Sequence, residues 1–594
     1  MTNETTKHPF SADRPIISRT EDLLGRSEFV QSLAAAINGW KGNDSLVIAL
    51  YGPWGSGKSS IKNMLLESLR ESKKDCPLII EFNPWQWAGQ EQLAGAFFHE
   101  IGVALGKSDT SKEGKKRAAK WRAYGSYLTL GASLAKPLKT VLPLLGIPGS
   151  NILDTLTKAL EQSSKVTHEG SAALAAQAEA SNRNLSEVKQ DLSNSLKTLK
   201  KPILIVMDDV DRLSTDEIKL LFQLVKANAD FPNLIYLLLF QRNIVEKSLE
   251  AIAPITGRDF LEKIVQVGFD IPRIQRTRLE KVLFAALNEL LVDEKVRQRF
   301  DQQRWGNLLI PGLRPYFETL RDVHRFLATL SFQVARFRES GSFEVNPIDL
   351  IALEVLRVFE PEVYQRLPEA KSTLTEHRDH GLRAHGAEDE TRRLVESIVN
   401  EAPEPSRSQV REILKQLFPP AEWAFGGSHY GSGFEEQWFR DLRVCHPNVF
   451  DRYFHLTIPE GDISQADLDQ LLSLVDDREG LVTEFRALNK RGLLGVALDR
   501  LEAYKEKIDL QHAVPFITAL FDIGDELPDE PAGFFSIGPD VHASRIIHWY
   551  LKQEKDSGKR GQILKEAMKA TTGLYLAVRK TSIEASIEER QKDP

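Results

Sequence analysis

Eight consecutive residues, Gly52-Pro-Trp-Gly-Ser-Gly-Lys-Ser59, follow directly on the apolar run Leu46-Val-Ile-Ala-Leu-Tyr51. They match G-x-x-x-x-G-K-[ST], a pattern whose glycines let the backbone curl so that successive N–H groups point inward at phosphate oxygens. The five apolar residues from Leu46 to Leu50 read as a buried strand. Ser60-Ile-Lys-Asn-Met-Leu-Leu-Glu-Ser-Leu-Arg70 reads as a helix starting on the loop. Strand, glycine loop and helix in that order restrict the fold to the α/β class with a parallel sheet. Gly52, Pro53, Trp54, Gly55, Ser56, Gly57, Lys58, Ser59 and Ser60 are the expected nucleotide-binding segment. Lys58 is expected to reach the β- and γ-phosphates of ATP, and the Ser59 hydroxyl to ligate Mg²⁺.

Such a loop needs a buried strand ending in a carboxylate. Ile203-Leu-Ile-Val-Met-Asp208 fits, because its apolar run buries the strand and sets the acid at the C-terminal edge, where ligands bind in open α/β sheets. Asp208 is the expected magnesium ligand, acting with Ser59, and Asp209 the expected base that polarises the attacking water. Asp211-Arg212 extends the acidic cluster, whose carboxylates would repel one another without a cation nearby. After the strand Asn233-Leu-Ile-Tyr-Leu-Leu-Leu-Phe240 comes Gln241, placed to sense the γ-phosphate or to cap the loop. An amide can orient water but cannot act as a base. Farther on, Arg321 and Arg325 lie four apart and share a helix face, from which a lid arginine could couple nucleotide state to domain position. Asn83-Pro84-Trp85-Gln86-Trp87 is either a packed strand end or an aromatic contact for a partner or nucleotide.

At 594 residues the chain exceeds one core, and its length suggests roughly three to four domains. A net charge of −7 gives no global attraction to nucleic acid, so any such binding must come from a local basic patch. Cys76 and Cys445 are the only cysteines, which argues against a disulfide scaffold and fits a cytoplasmic protein, as does a polar N-terminus without a signal peptide's apolar core. Residues 1–20 read as a lead-in. A helix is expected over Glu21 to Trp40, with Leu23, Leu24, Phe29, Leu33 and Ile37 on its apolar face. Pro77 to Trp87 is a second strand running into the aromatic turn, and about 110 residues separate it from the next, far more than a βαβ crossover needs. The excess is a helical insert over 88–200. It opens with a basic helix (Lys112, Lys115, Lys116, Arg117, Lys120, Trp121, Arg122) and closes with a polar one carrying Leu174, Ala178, Leu185, Val188, Leu192, Leu196 and Leu199 at helical spacing. Between them, Tyr124 to Leu153 is apolar but broken by lysines and prolines, too short in each run to span a bilayer. A helical hairpin packed on the domain or on a partner is expected there, with contact at a membrane surface as the second reading. From about Pro272 the chain reads helical, as a lid-like domain to residue 400 and a C-terminal domain over 401–594.

Taken together these stretches resemble the KAP family of P-loop NTPases, ATPases with an added strand between the two nucleotide motifs. The resemblance is carried by residues 52–60, by Phe-Asn-Pro-Trp-Gln-Trp (82–87), by Asp-Asp-Val-Asp-Arg-Leu (208–213) and by 260–267. It continues through Leu-Arg-Asp-Val-His-Arg-Phe-Leu (320–327), 349–364 and Phe-Asp-Arg-Tyr-Phe-His-Leu (450–456), covering about residues 20 to 475. It implies an ATPase domain over 21–271 that binds ATP and Mg²⁺, with Lys58, Ser59, Asp208 and Asp209 in the roles above and Arg325 as the lid arginine. Many members insert transmembrane helices between the nucleotide motifs; the polar, broken insert here resembles the soluble branch. Where the family commonly shows Asp, this chain has Gln241, which bears on the sensing step.

Length and lack of spans also make the chain similar to the ATPase component of Qat-type antiviral defence systems, implying a QueC-like enzyme and a TatD-like nuclease as partners. The expected function is therefore a nucleotide-driven switch or assembly component, possible also as a homo-oligomer. A nucleic-acid-dependent loader and a membrane-surface scaffold are the alternatives.

Overall fold

The computed structural model describes residues 14–41, 44–73, 75–87, 90–125, 128, 185–250, 256–338, 342–376, 385–430, 432–455, 457–528 and 538–581. They form two compact units, one of residues up to 279 together with 319–321, the other of 280–318 and 322 onward.

The first unit is built on five parallel strands: β1 (Leu46–Tyr51), β2 (Leu78–Phe82), β3 (Ile203–Met207), β4 (Leu234–Phe240) and β5 (Val267–Asp270), in the order β2-β3-β4-β1-β5. The strand ending in the phosphate loop and the strand ending in Asp208 are thus separated by β4, the added strand of the expected ATPase type. Central strands are apolar at every position because both faces are covered. On β1, Val47, Ala49 and Tyr51 enter one core and Ile48 and Leu50 the other; on β4, Leu234, Tyr236, Leu238 and Phe240 oppose Ile235, Leu237 and Leu239 in the same way.

Two helices cover the second of these faces, α1 (Ser27–Gly39) with Val30, Leu33 and Ile37, and α2 (Lys58–Glu71) with Ile61, Leu65 and Leu69. The first face receives the described part of the insert: α3 (Gln90–Ser108), α4 (residues 112–125) and α5 (Leu185–Lys197). Helix α4 turns Ala118, Trp121 and Tyr124 into the core and leaves Lys112, Lys115, Lys116 and Arg122 exposed. Most of the apolar stretch from Tyr124 to Leu153, and Leu174 and Ala178 of the polar helix, lie outside the described residues. Among the described residues no helix is long and apolar enough to cross a membrane.

Two sequence expectations are corrected. The helix expected from Glu21 begins at Ser27, because the Asp22 carboxylate accepts from the amides of Leu24, Gly25, Arg26 and Ser27 (2.7–3.1 Å) and Gly25 sits at φ +69°. This Asx-type turn replaces the first helical turn and leaves Leu23 exposed. Strand β5 was not expected at all: Val-Gly-Phe-Asp has no apolar run, since it is a short edge strand whose last three residues are exposed.

The second unit is helical throughout its described residues. Its polar interior is organised on Asp349, fully buried in the helix Pro347–Phe359, which pairs with Arg304 and with Arg443 (2.9 Å) and accepts from the Val444 amide (2.9 Å).

Candidate nucleotide site

The loop between β1 and α2 closes on left-handed glycines, Gly55 at φ +79° and Gly57 at φ +87°. Gly57 is the N-cap of α2, and a Cβ there would come within 2.8 Å of the Arg26 guanidinium. A Cβ on Gly55 would come 3.1 Å from Thr319 Oγ1 and 3.2 Å from Arg321 Cβ. Arg26 clamps the loop from outside, donating to Ser56 O and, at 2.9 Å, to Pro272 O. The result is a tight backbone cradle at the N-terminus of a 14-residue helix, with the buried Ser56 Oγ left without a partner. Lys58, 7% exposed, donates to Gly52 O at 2.8 Å and lies 3.5 Å from Asp211 Oδ2.

Opposite the loop, Asp208 directly follows β3 and is buried, with its Oδ2 3.2 Å from Lys62 Nζ. The chain then bends sharply: Asp209 is left-handed (φ 58°), a conformation that costs a non-glycine residue about 1–2 kcal/mol and suits a functional turn. Its amide donates to Asp208 Oδ1 at 3.0 Å, and its own Oδ1 pairs with Arg212 Nε at 3.0 Å. Burial, then the neighbouring Asp208, push the Asp209 carboxyl above the ordinary aspartate range, with Arg212 acting the other way. Asp211 is more enclosed still; its Oδ2 accepts from the Trp54 indole (3.1 Å) and the Gln241 amide (2.9 Å), and its Oδ1 is buried without a partner. Gln241 therefore meets the cluster through its backbone.

The structure brings together on one sheet edge the loop residues Gly52–Ser60, Asp208, Asp209 and Gln241. Arg325 belongs to the helical unit, where it donates to Val358 O at 2.6 Å and lies 5.6 Å from the Phe359 ring centroid. Trp54, Trp85 and Trp87 are 59%, 50% and 37% exposed, so the aromatic turn is a surface feature, and Arg212 lies over the Trp85 ring at 5.1 Å. Two residues escaped the sequence reading. Lys62 was discoverable, since it stands one turn after Lys58 on the same helix face. Arg26 carried no local signal, its role arising only from tertiary contact with the loop. Among the described residues no cluster of three His, Cys, Asp or Glu is arranged to hold a metal. A hydroxyl and a single carboxylate, Ser59 and Asp208, nonetheless suit Mg²⁺, which takes few protein ligands beside substrate phosphates. The glycine cradle and the orphaned Ser56 hydroxyl suit a phosphate chain.

The family model described as the KAP family P-loop domain matches residues 26–335, just over half of the chain. The chain belongs to the KAP family. Among curated relatives of the chain, the phage T7 exclusion protein of Escherichia coli K12 is 25% identical over 357 residues, 58% of this chain and 45% of that protein. This KAP chain thus spans less than half the length of the relative it matches. Solved structures similar to it include the Aeropyrum pernix ORC1 protein in complex with DNA (16% identity, 65% of this chain and 84% of that one, TM-score 0.28). Another is Cdc6p of Pyrobaculum aerophilum (12% identity, 70% and 97%, TM-score 0.30). At that distance the sheet order, rather than either likeness, carries the fold of this KAP protein.

Proposed function

We propose that this KAP protein binds and hydrolyses ATP with Mg²⁺ and uses its nucleotide state as a switch, or assembly signal, in cytoplasmic antiviral defence. One observation carries the reading: the Lys58–Ser59 loop and the Asp208–Asp209 turn face one another across β4 on a single sheet edge. When bound, ATP with Mg²⁺ supplies the transferable phosphoryl group and the cation that neutralises it. The chain's own residues do the rest. Loop amides and Lys58 hold the phosphates, Ser59 and Asp208 hold the cation, and Asp209 orients a water and accepts its proton. Gln241 is proposed to sense the terminal phosphate, and Arg325 to pass that state to the helical unit.

The defence role is supported by the phage-exclusion relative, and resemblance to Qat-type ATPases names a QueC-like enzyme and a TatD-like nuclease as partners. Lys58→Ala is expected to abolish nucleotide binding measured by calorimetry, and Arg325→Ala to leave binding intact while weakening capture of partners in the presence of a non-hydrolysable ATP analogue. Undiminished binding in the first variant would refute the site. The four exposed cations of α4 favour a second reading, a nucleic-acid-stimulated ATPase. Stimulation of turnover by DNA or RNA that disappears at high salt would select it over the switch.

A further inference from the structure

Asp211 has no place among the phosphate, metal and base assignments, yet it is the most enclosed acid of its cluster. Its side chain is 1% exposed, against 10% for Asp208 and 24% for Asp209. A buried carboxylate is costly unless something holds it, and here one oxygen gathers three elements. Asp211 Oδ2 accepts from the indole of Trp54 in the phosphate loop at 3.1 Å and from the amide of Gln241 at the end of β4 at 2.9 Å, and it stands 3.5 Å from the ammonium of Lys58 at the start of α2. The loop's curl does not require this acid, since the glycines and the Arg26 clamp already provide it. A negative charge has been set beside the very lysine that meets the phosphates.

Two consequences follow from that placement. The hydrogen bonds from Trp54 and Gln241 hold the loop and the β4 end in register with the acid turn. The charge itself draws on Lys58 and opposes any further negative charge at the same edge, which is where β3 and β4 end. A terminal phosphate adds charge on the side of Asp208 and Gln241, so the opposition falls more heavily on a triphosphate than on a diphosphate. We propose that Asp211 is a positioning and specificity residue that sets the balance between nucleoside triphosphate and diphosphate at this site, by holding Lys58 and Trp54 while opposing the terminal phosphate with its charge. The proposal rests on the nucleotide reading given above.

Calorimetric Kd values for ADP and for a non-hydrolysable ATP analogue, both with Mg²⁺, test it on the full chain. In Asp211→Asn the amide still accepts from Trp54 and Gln241 but the charge is gone. The ratio of diphosphate Kd to triphosphate Kd is expected to rise about tenfold, with the triphosphate bound more tightly than by wild type. Asp211→Ser is the second neutral variant, read in the same way if Asn disturbs the loop. Asp211→Glu keeps a charge in place and is expected to keep the ratio close to wild type. A ratio unmoved in both neutral variants, or moved equally by Asp211→Glu, overturns the proposal. If wild type binds neither nucleotide, the nucleotide reading fails first and takes this one with it.

Discussion

Arg212 stands between the candidate base and an exposed ring, paired with Asp209 at 3.0 Å and lying over Trp85 at 5.1 Å. Asp209 must be ionised to accept a proton, and burial beside Asp208 raises its pKa, so turnover is expected to fall as pH drops through a value above the ordinary aspartate range. Arg212 favours the ionised form. Arg212→Ala should therefore shift this acid limb of the kcat profile to higher pH, and Asp209→Asn should abolish the limb and lower kcat about 100-fold or more. A limb unchanged in Arg212→Ala would separate the ion pair from catalysis. At this scale the sequence was informative where function is written locally. The loop, Asp208 and Asp209 sit on short motifs, whereas Arg26, which reaches Ser56 O from 30 residues upstream, has meaning only once the chain has folded.

Helix α4 shows the same divide among elements. Its run of lysines and arginines drew attention to the solvent face, while the buried stripe of Ala118, Trp121 and Tyr124 decides where it goes. Trp121 is fully buried, with ring centroids 5.6 Å from Phe98 and 5.4 Å from Phe231, so α4 is joined to the same core as the sheet. Trp121→Ala is expected to cost about 3–5 kcal/mol. The check is a urea titration following the transition that bound nucleotide raises, since ligand binding marks the unit that carries the site. A midpoint equal to wild type would mean that α4 contributes nothing to that core. Of the four strands that were legible, β1, β3 and β4 are buried on both faces and their apolar runs are unbroken, while β2, at an edge, keeps Leu78, Ile79, Ile80 and Phe82 around the exposed Glu81. Strand β5 was hidden because an edge strand needs no such run.

For the molecule as a whole, charge is buried in the helical unit as well as at the nucleotide site. Two stretches that carried the family resemblance, 349–364 and 450–456, supply Asp349 and Arg452 to its interior. Arg452 pairs with Glu344 at 2.8 Å and with Asp462, so these motifs hold a framework of helices. His446 lies in this framework, stacked on Phe439 with centroids 4.4 Å apart, its Nδ1 accepting from the Asn448 amide at 3.3 Å. Burial first, and then Arg500, push its pKa down to about 4, against 6.5 for a free histidine. A depressed pKa means that the unfolded chain binds the proton more readily. The stabilisation is thus complete above about pH 6.5 and is lost as pH falls toward 4, by up to roughly 3 kcal/mol. Asp209 in the sheet unit has the opposite sign, its raised pKa favouring the folded form on protonation. Between pH 6.5 and 4 the transition that nucleotide does not raise is therefore expected to lose stability faster than the one it does, in urea titrations at stepped pH. His446→Gln should flatten that dependence in the first transition alone, and an equally steep loss in the variant would assign the acid sensitivity to another group.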